Sequence, residues 1–328
     1  MTSRPLVARY DALLVDLDGT VYAGRNAIPG AKEALDGLPA WFVTNNASRP
    51  PSDVAEQLRS LGFAATEESV VTSAQAGAAL LSTLVPEGAR VLVVGAPALR
   101  DEVLSRGMVP VDSFDDGPAA VIQGHDPQTG WAQLAEATLA IRAGAVWVAC
   151  NIDATLPSER GLLAGNGAMV AALECSTGRS PQVAGKPGAP LLHDAARKAG
   201  SARPLVVGDR LDTDIEGGHT VGADTFMVLT GVNTVDDLLR APDRMQPTFV
   251  APTLAGLRGD AEASRPGPRS AWTATVDGDV LHLASGPAAE PGDAMYAAIA
   301  AARRVPEADR VRLELADGAP APWRAAVG

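Results

Sequence analysis

Four short apolar runs punctuate this chain, three of them breaking off directly into polar residues, and that pattern constrains the fold more than any other feature. Ala12–Thr20, Ala40–Asn46, Arg203–Arg210 and Asp224–Gly231 read as buried, β-branched strands. In the first three the polar residues follow the apolar run directly. Helical segments separate the runs, so the chain predicts an α/β protein with a parallel sheet. The polar residues then fall at the carboxyl ends of the strands, where open α/β sheets bind ligands.

Between the second and third runs lies a long stretch with its own alternation. Residues 89–99, 119–124 and 145–150 read as strands, and 131–144 and 167–178 as helices. This predicts an inserted α/β domain at 87–182, within a core formed by 1–86 and 183–257. Residues 258–270 are rich in Pro, Gly and charge and read as a linker. Beyond it, 271–328 predicts a small ββαβ appendage: a hairpin turning at Asp277-Gly278, a helix at 292–304 and a strand at 310–315. The helix has an apolar face that suits packing on the core, a homodimer contact or a partner.

Composition narrows the partners. The 328 residues carry a formal net charge of −12, which repels nucleic acid and anionic membrane alike. An acidic enzyme that takes an anionic substrate needs a local positive field, and a divalent cation supplies one simply. Cys150 and Cys175 lie in apolar stretches without a CxxC pattern, and read as two buried thiols of a cytoplasmic protein. The amino terminus shows no signal peptide, and no run approaches the roughly 18 apolar residues of a membrane span.

Four motifs stand at the strand ends. Asp16-Leu17-Asp18-Gly19-Thr20 offers two carboxylates at i and i+2, one to attack and one to move protons, with Gly19 for the turn. Its plainer reading is an Asp-rich turn. Thr44-Asn45-Asn46 offers a hydroxyl and amides to phosphate oxygens, or else Asn46 or Ser48 simply caps the helix before Pro50 and Pro51. Gly185-Lys186-Pro187 holds one of only three lysines in a restrained setting, suited to neutralising phosphate, or leaves it a solvated loop lysine. Asp209, Asp212 and Asp214 follow a strand within six residues and suit a hard cation, or else cap a helix beginning near Ile215. Each plain reading stands alone; four such motifs in this order make coincidence a poor account.

In that order the chain resembles the haloacid dehalogenase (HAD) superfamily over about residues 8–257. The insert resembles the C2-type cap of the NagD-like and p-nitrophenyl-phosphatase-like branch, through residues 151–181. That branch usually carries proline where Ile152 and Ala164 stand. The resemblance implies a phosphatase. Asp16 would be the nucleophile and Asp18 the acid and base. Mg²⁺ would lie on the Asp16 carboxylate, the Asp18 carbonyl and Asp209, with Asp214 or Asp212 outside. Thr44, the Asn45 N–H and Lys186 would cup the phosphate with Gly19 and Asn46. A dehalogenase would lack Asp18.

The cap would meet the leaving group through Asn151, Asp153, Arg160 or the Gly165-Asn166-Gly167 loop, although Asn166 is as well read as a helix cap. His125 reads as exposed, and Arg49 as a substrate contact or a cap of its own helix. The Ala/Arg-rich, Lys-poor composition resembles that of a high-GC actinobacterial protein, and as a whole the chain resembles the actinobacterial glycerol-3-phosphate phosphatase type. Glycerol 3-phosphate is therefore the first substrate implied, ahead of phosphoglycolate, pyridoxal phosphate and nucleoside monophosphates. A phosphomutase or a non-catalytic binding protein would share the fold.

Overall fold

The computed structural model describes residues 5–158, 160–287 and 289–316. The chain groups into two compact units, residues 1–40 with 201–328, and residues 41–200.

In the first unit four parallel strands lie in the order Phe249–Ala251, Asp224–Val228, Pro204–Gly208, Ala12–Val15. All four residues of Ala12–Val15 are buried, as a central parallel strand requires. The register pairs Val15 with Val207, and the Asp16 N–H donates to the Val207 carbonyl at 2.8 Å. This alignment brings Asp16 and Asp209 off neighbouring strands at the same sheet edge.

The appendage is built as ββαβ on the same unit. Trp272–Asp277 and Val280–Ser285 form a hairpin whose two-residue loop is Gly278-Asp279, one step later than expected, with Gly278 at φ +61°. Only Glu314–Leu315 of the expected strand 310–315 pairs. Pro306 opens a helical turn at Glu307–Arg310, its acidic first turn favouring the helix, so Arg310 belongs to helix and not strand. The helix Asp293–Ala302 turns its apolar face onto the sheet: Met295 and Ile299 share one buried cluster with Met227, Leu229, Leu238 and Val250.

Residues 258–270 are docked, unlike a linker. Arg258 donates from Nε to the carbonyls of Glu33 and Ala34, Ala261–Ser264 forms one helical turn, and Arg265 and Arg269 stack on Phe249 and Tyr296. Guanidinium groups provide this anchoring, with long stems that cover apolar surface.

In the second unit, Phe42–Thr44 of the strand Ala40–Thr44 pairs in parallel with Val70–Thr72. A five-stranded parallel sheet runs Gln182–Val183, Val146–Ala149, Ala120–Gln123, Arg90–Val94, Val109–Val111. The expected strand 89–99 stops at Val94, because Pro97 starts the helix Pro97–Ser105. The helices at 131 and 166 form as Trp131–Arg142 and Asn166–Thr177. Between them an unforeseen hairpin, Thr155–Ser158 with Gly161–Ala164, holds Leu162 and Leu163 in the open.

Both cysteines are free, but Cys175 is exposed on its helix, whereas Cys150 is buried and its thiol is pushed up by burial. Alkylation of the native protein near pH 8 is therefore expected to modify Cys175 and spare Cys150, since the thiolate is the reactive form. Peptide mass spectrometry reads this directly; equal labelling would contradict the packing around Cys150. Among the described residues no helix is long and apolar enough to cross a membrane.

Candidate active site

The acidic centre of the first unit is built by two strand ends and the helical turn that follows the second. One carboxylate oxygen each from Asp16, Asp209 and Asp214 can be chosen so that all lie within 4.8 Å of one another. Asp209 and Asp214 are 0% and 1% exposed, while Asp16 is half-buried and Asp18, two residues on, is exposed. Buried carboxylates at this spacing repel one another unless a cation joins them. An all-oxygen set at this separation fits a small hard divalent ion, which takes oxygens at about 2.0–2.1 Å in an octahedron.

Donors from two neighbouring segments help fix Asp209. Thr20 Oγ1 donates to Oδ1 at 3.1 Å and the Val232 N–H to Oδ2 at 2.7 Å. Thr230 Oγ1 donates to the Gly19 carbonyl at 2.7 Å and so ties the Asp16–Thr20 loop to the end of strand Asp224–Val228. Asp214 accepts from the Arg210 N–H at 3.2 Å. Its neighbour Asp212 points outward and pairs with the Arg210 side chain at 2.8 Å. Neither caps a helix at Ile215. The helical path starts at Leu211 with a wider, π-type turn, and this turn carries Asp214 inward.

Three glycines make room for the carboxylates. A Cβ on Gly19, which sits at φ +83°, would stand 2.5 Å from Asp209 Oδ2; on Gly208, 2.2 Å from Asp214; on Gly231, 2.0 Å from Asp209 Oδ2. Such approaches leave no space for a methyl group. Gly231→Ala is accordingly expected to displace Asp209 and raise the divalent-ion concentration needed for half-maximal activity at least about tenfold, the scale of damage to a metal ligand's support. Titration of activity against the ion checks it.

Thr230, Gly231 and Val232 escaped the sequence reading, and Thr20 and Gly208 entered it only as members of their motifs, without a role. The signal was present: the fourth apolar run also ends in polar and small residues, Thr230-Gly231, like the first three.

The second unit holds the other motif residues. Lys186 is 2% exposed, and its Nζ donates to the Val43 carbonyl at 3.2 Å. The Asn45 side chain bonds Lys186 at both backbone groups: Nδ2 donates to its carbonyl at 2.9 Å and Oδ1 accepts from its N–H at 2.8 Å. Asn45 Nδ2 also donates to the Asp153 carboxylate at 3.1 Å. The amide is thus engaged within the chain. Thr44 Oγ1 accepts from the Asn46 N–H at 3.1 Å, and Asn46 Oδ1 accepts from the Ser48 N–H at 2.7 Å. Asn46 therefore closes a tight turn; the helix Pro51–Ser60 has Pro50 at its cap position.

Of the cap candidates, Asn151 is buried and donates to the Asn45 carbonyl at 2.7 Å, Asp153 is half-buried, and Arg160 is exposed at the hairpin turn. Asn166 is the first helical residue, not the cap, and donates to the Asn151 carbonyl at 2.6 Å. Arg49 binds its own helix through Gln57 and the Asp53 carbonyl, and His125 is half-buried, its carbonyl accepting from Ser48.

The haloacid dehalogenase-like hydrolase family pattern matches residues 13–109, and a HAD-hydrolase-like pattern matches 183–257. A D-glycerol 3-phosphate phosphatase of Mycobacterium tuberculosis is 49% identical over 280 residues, covering 85% of this chain and 79% of the relative. The chain is a haloacid dehalogenase-like hydrolase. An acid sugar phosphatase of Staphylococcus aureus is 41% identical over 70% of this chain and 90% of its own. A glycerol phosphate phosphatase from Mycobacterium tuberculosis, crystallised with magnesium, superposes with a TM-score of 0.89 at 45% identity, covering 99% of this chain and 98% of that one. The expected fold class, with HAD core and parallel sheets, is borne out in this HAD hydrolase.

Proposed function

We propose that this HAD hydrolase is a magnesium-dependent phosphatase that cleaves a small phosphate monoester, with glycerol 3-phosphate as first substrate, through an aspartyl-phosphate on Asp16. The observation that carries it is the cluster of the half-buried Asp16 with the buried Asp209 and Asp214, with Asp18 two residues beyond Asp16. The glycerol phosphate phosphatase relative supports the choice of substrate.

On this reading an Asp16 oxygen attacks phosphorus in line, and the phosphorus–oxygen bond to the alcohol breaks. Asp18 gives its proton to the departing oxygen. Asp18, now a carboxylate, takes a proton from a water whose oxygen attacks the phosphorus. The bond to Asp16 breaks, inorganic phosphate leaves, and the Asp16 carboxylate and the protonated Asp18 are restored. Asp16, the Asp18 carbonyl and Asp209, with Asp214 beside them, would hold Mg²⁺, which would supply the charge neutralisation for a phosphate dianion. Thr44, the Asn45 backbone N–H and Lys186 bind phosphate oxygens. The exposed Arg160 and half-buried Asp153 would meet the leaving group.

The core is then 1–86 with 183–257 and the cap 87–182, a division supported by the five-stranded sheet at 90–183. Two unpaired cysteines suit a reducing, cytoplasmic setting.

Phosphate release from a panel of small organic phosphates, with Mg²⁺ and with excess EDTA, tests the proposal. Glycerol 3-phosphate should lead the panel, and EDTA should abolish release. A folded, metal-loaded protein that releases nothing from any ester would overturn the reading in favour of a binding protein.

A further inference from the structure

Three asparagine side chains form a relay inside the second unit. Asn166, 2% exposed, donates from Nδ2 to the Asn151 carbonyl at 2.6 Å. Asn151 donates from Nδ2 to the Asn45 carbonyl at 2.7 Å, and its Oδ1 accepts from the Asp153 N–H at 3.2 Å. Asn45 in turn clasps Lys186 by its carbonyl and its N–H. Buried amides joined in this way are stable only when the groups around them hold position, because each lost bond strands a polar atom.

The backbone around the relay is packed without slack. A Cβ on Gly165 would stand 2.2 Å from the Asp153 carbonyl oxygen, and one on Gly167 2.2 Å from that of Ile152. On the other side, a Cβ on Gly185 would stand 2.4 Å from the Cys150 carbonyl oxygen and 2.6 Å from Asn45 Oδ1. The Gly167 N–H donates to the Asp153 carbonyl, and the Gly185 N–H to that of Cys150. Residues 150–153 are therefore gripped between the start of helix Asn166–Thr177 and the Gly185-Lys186 segment. A close-packed grip of this kind passes displacement on instead of absorbing it.

We propose that Asn166 is a positioning residue for Lys186, acting through Asn151 and Asn45. The proposal rests on the phosphatase reading for its kinetic consequence, but the positioning itself is open to a direct physical readout. Misplacing a phosphate-binding lysine by an ångström weakens the transition state far more than it weakens the fold.

The test uses the full chain with Asn166→Ala, and with the isosteric Asn166→Asp in case the first variant folds poorly; both remove the donor to Asn151. Hydrogen exchange of the peptide containing Lys186 is expected to quicken in the variants, since the Asn45 Oδ1 bond to its N–H loosens. With glycerol 3-phosphate, kcat/KM should fall about tenfold to a hundredfold, on the scale of a misplaced catalytic group. In a Lys186→Ala background the same change should cost less than about twofold, because residues acting as one unit are not additive. Unchanged exchange at Lys186, or equal kinetic losses in both backgrounds, would overturn the proposal while leaving the phosphatase reading intact. A wild type that hydrolyses nothing would overturn the phosphatase reading instead, and the exchange rates would still decide the relay.

Discussion

Asp16→Asn is expected to remove phosphate release by about four orders of magnitude or more while the protein stays folded, the scale seen when a nucleophile is deleted. The substitution keeps the shape of the side chain at the end of strand Ala12–Val15. It removes the attacking oxygen and one carboxylate of the trio with Asp209 and Asp214. An amide oxygen is a poor nucleophile and carries no charge to offset a divalent ion. Stopped assays at saturating Mg²⁺, with melting curves of both proteins, separate lost chemistry from lost fold. Retention of a tenth of the activity would remove Asp16 from its role.

Deleting residues 258–328 is expected to leave no stably folded protein. The appendage shares one buried cluster with Met227, Leu229, Val235, Leu238, Leu239 and Val250. Uncovering six such side chains, at about 1.5–3 kcal/mol each, costs as much as the roughly 5–15 kcal/mol that keeps a domain folded. Polar anchors would be lost as well. Tyr296 donates to the Val250 carbonyl at 3.1 Å, Arg303 to that of Pro247 at 2.7 Å, and the buried Arg310 to that of Ala241 at 2.8 Å. Solubility on expression and a circular-dichroism melt measure the outcome. A truncated protein that melts within a few degrees of the full chain would show that the shared cluster contributes little.

The reach of the sequence follows from which forces leave a pattern in it. Asp16 and Asp209 were legible because a buried parallel strand has to be apolar up to its last residue, so a carboxylate at that boundary stands out. The choice between Asp212 and Asp214 was not legible. It depends on the phase of the wider turn at Leu211–Ile215, which a run of alternating aspartates does not specify. The appendage was readable from alternation in residues 272–276, but the strand at 310 was not, since the helical turn after Pro306 competes for Arg310.

Docking of 258–270 left no apolar signature, because arginines carry it through carbonyls and rings. Gly165-Asn166-Gly167 looked like a ligand loop or a helix cap for a similar reason. Its glycines answer to carbonyls of residues 152 and 153, neighbours in space that no spacing rule brings together. Cys175 lies among apolar residues yet faces outward, since its helix buries Val170 and Leu173 on another side.

The most direct test of the covalent mechanism is to trap the intermediate. The enzyme turning over glycerol 3-phosphate with Mg²⁺ is quenched, reduced with borohydride and digested. An acyl-phosphate on Asp16 is reduced to homoserine, so the peptide carrying residue 16 should show that change only when substrate and metal were both present. Rapid turnover with homoserine at no position, or at an aspartate other than Asp16, would contradict the account.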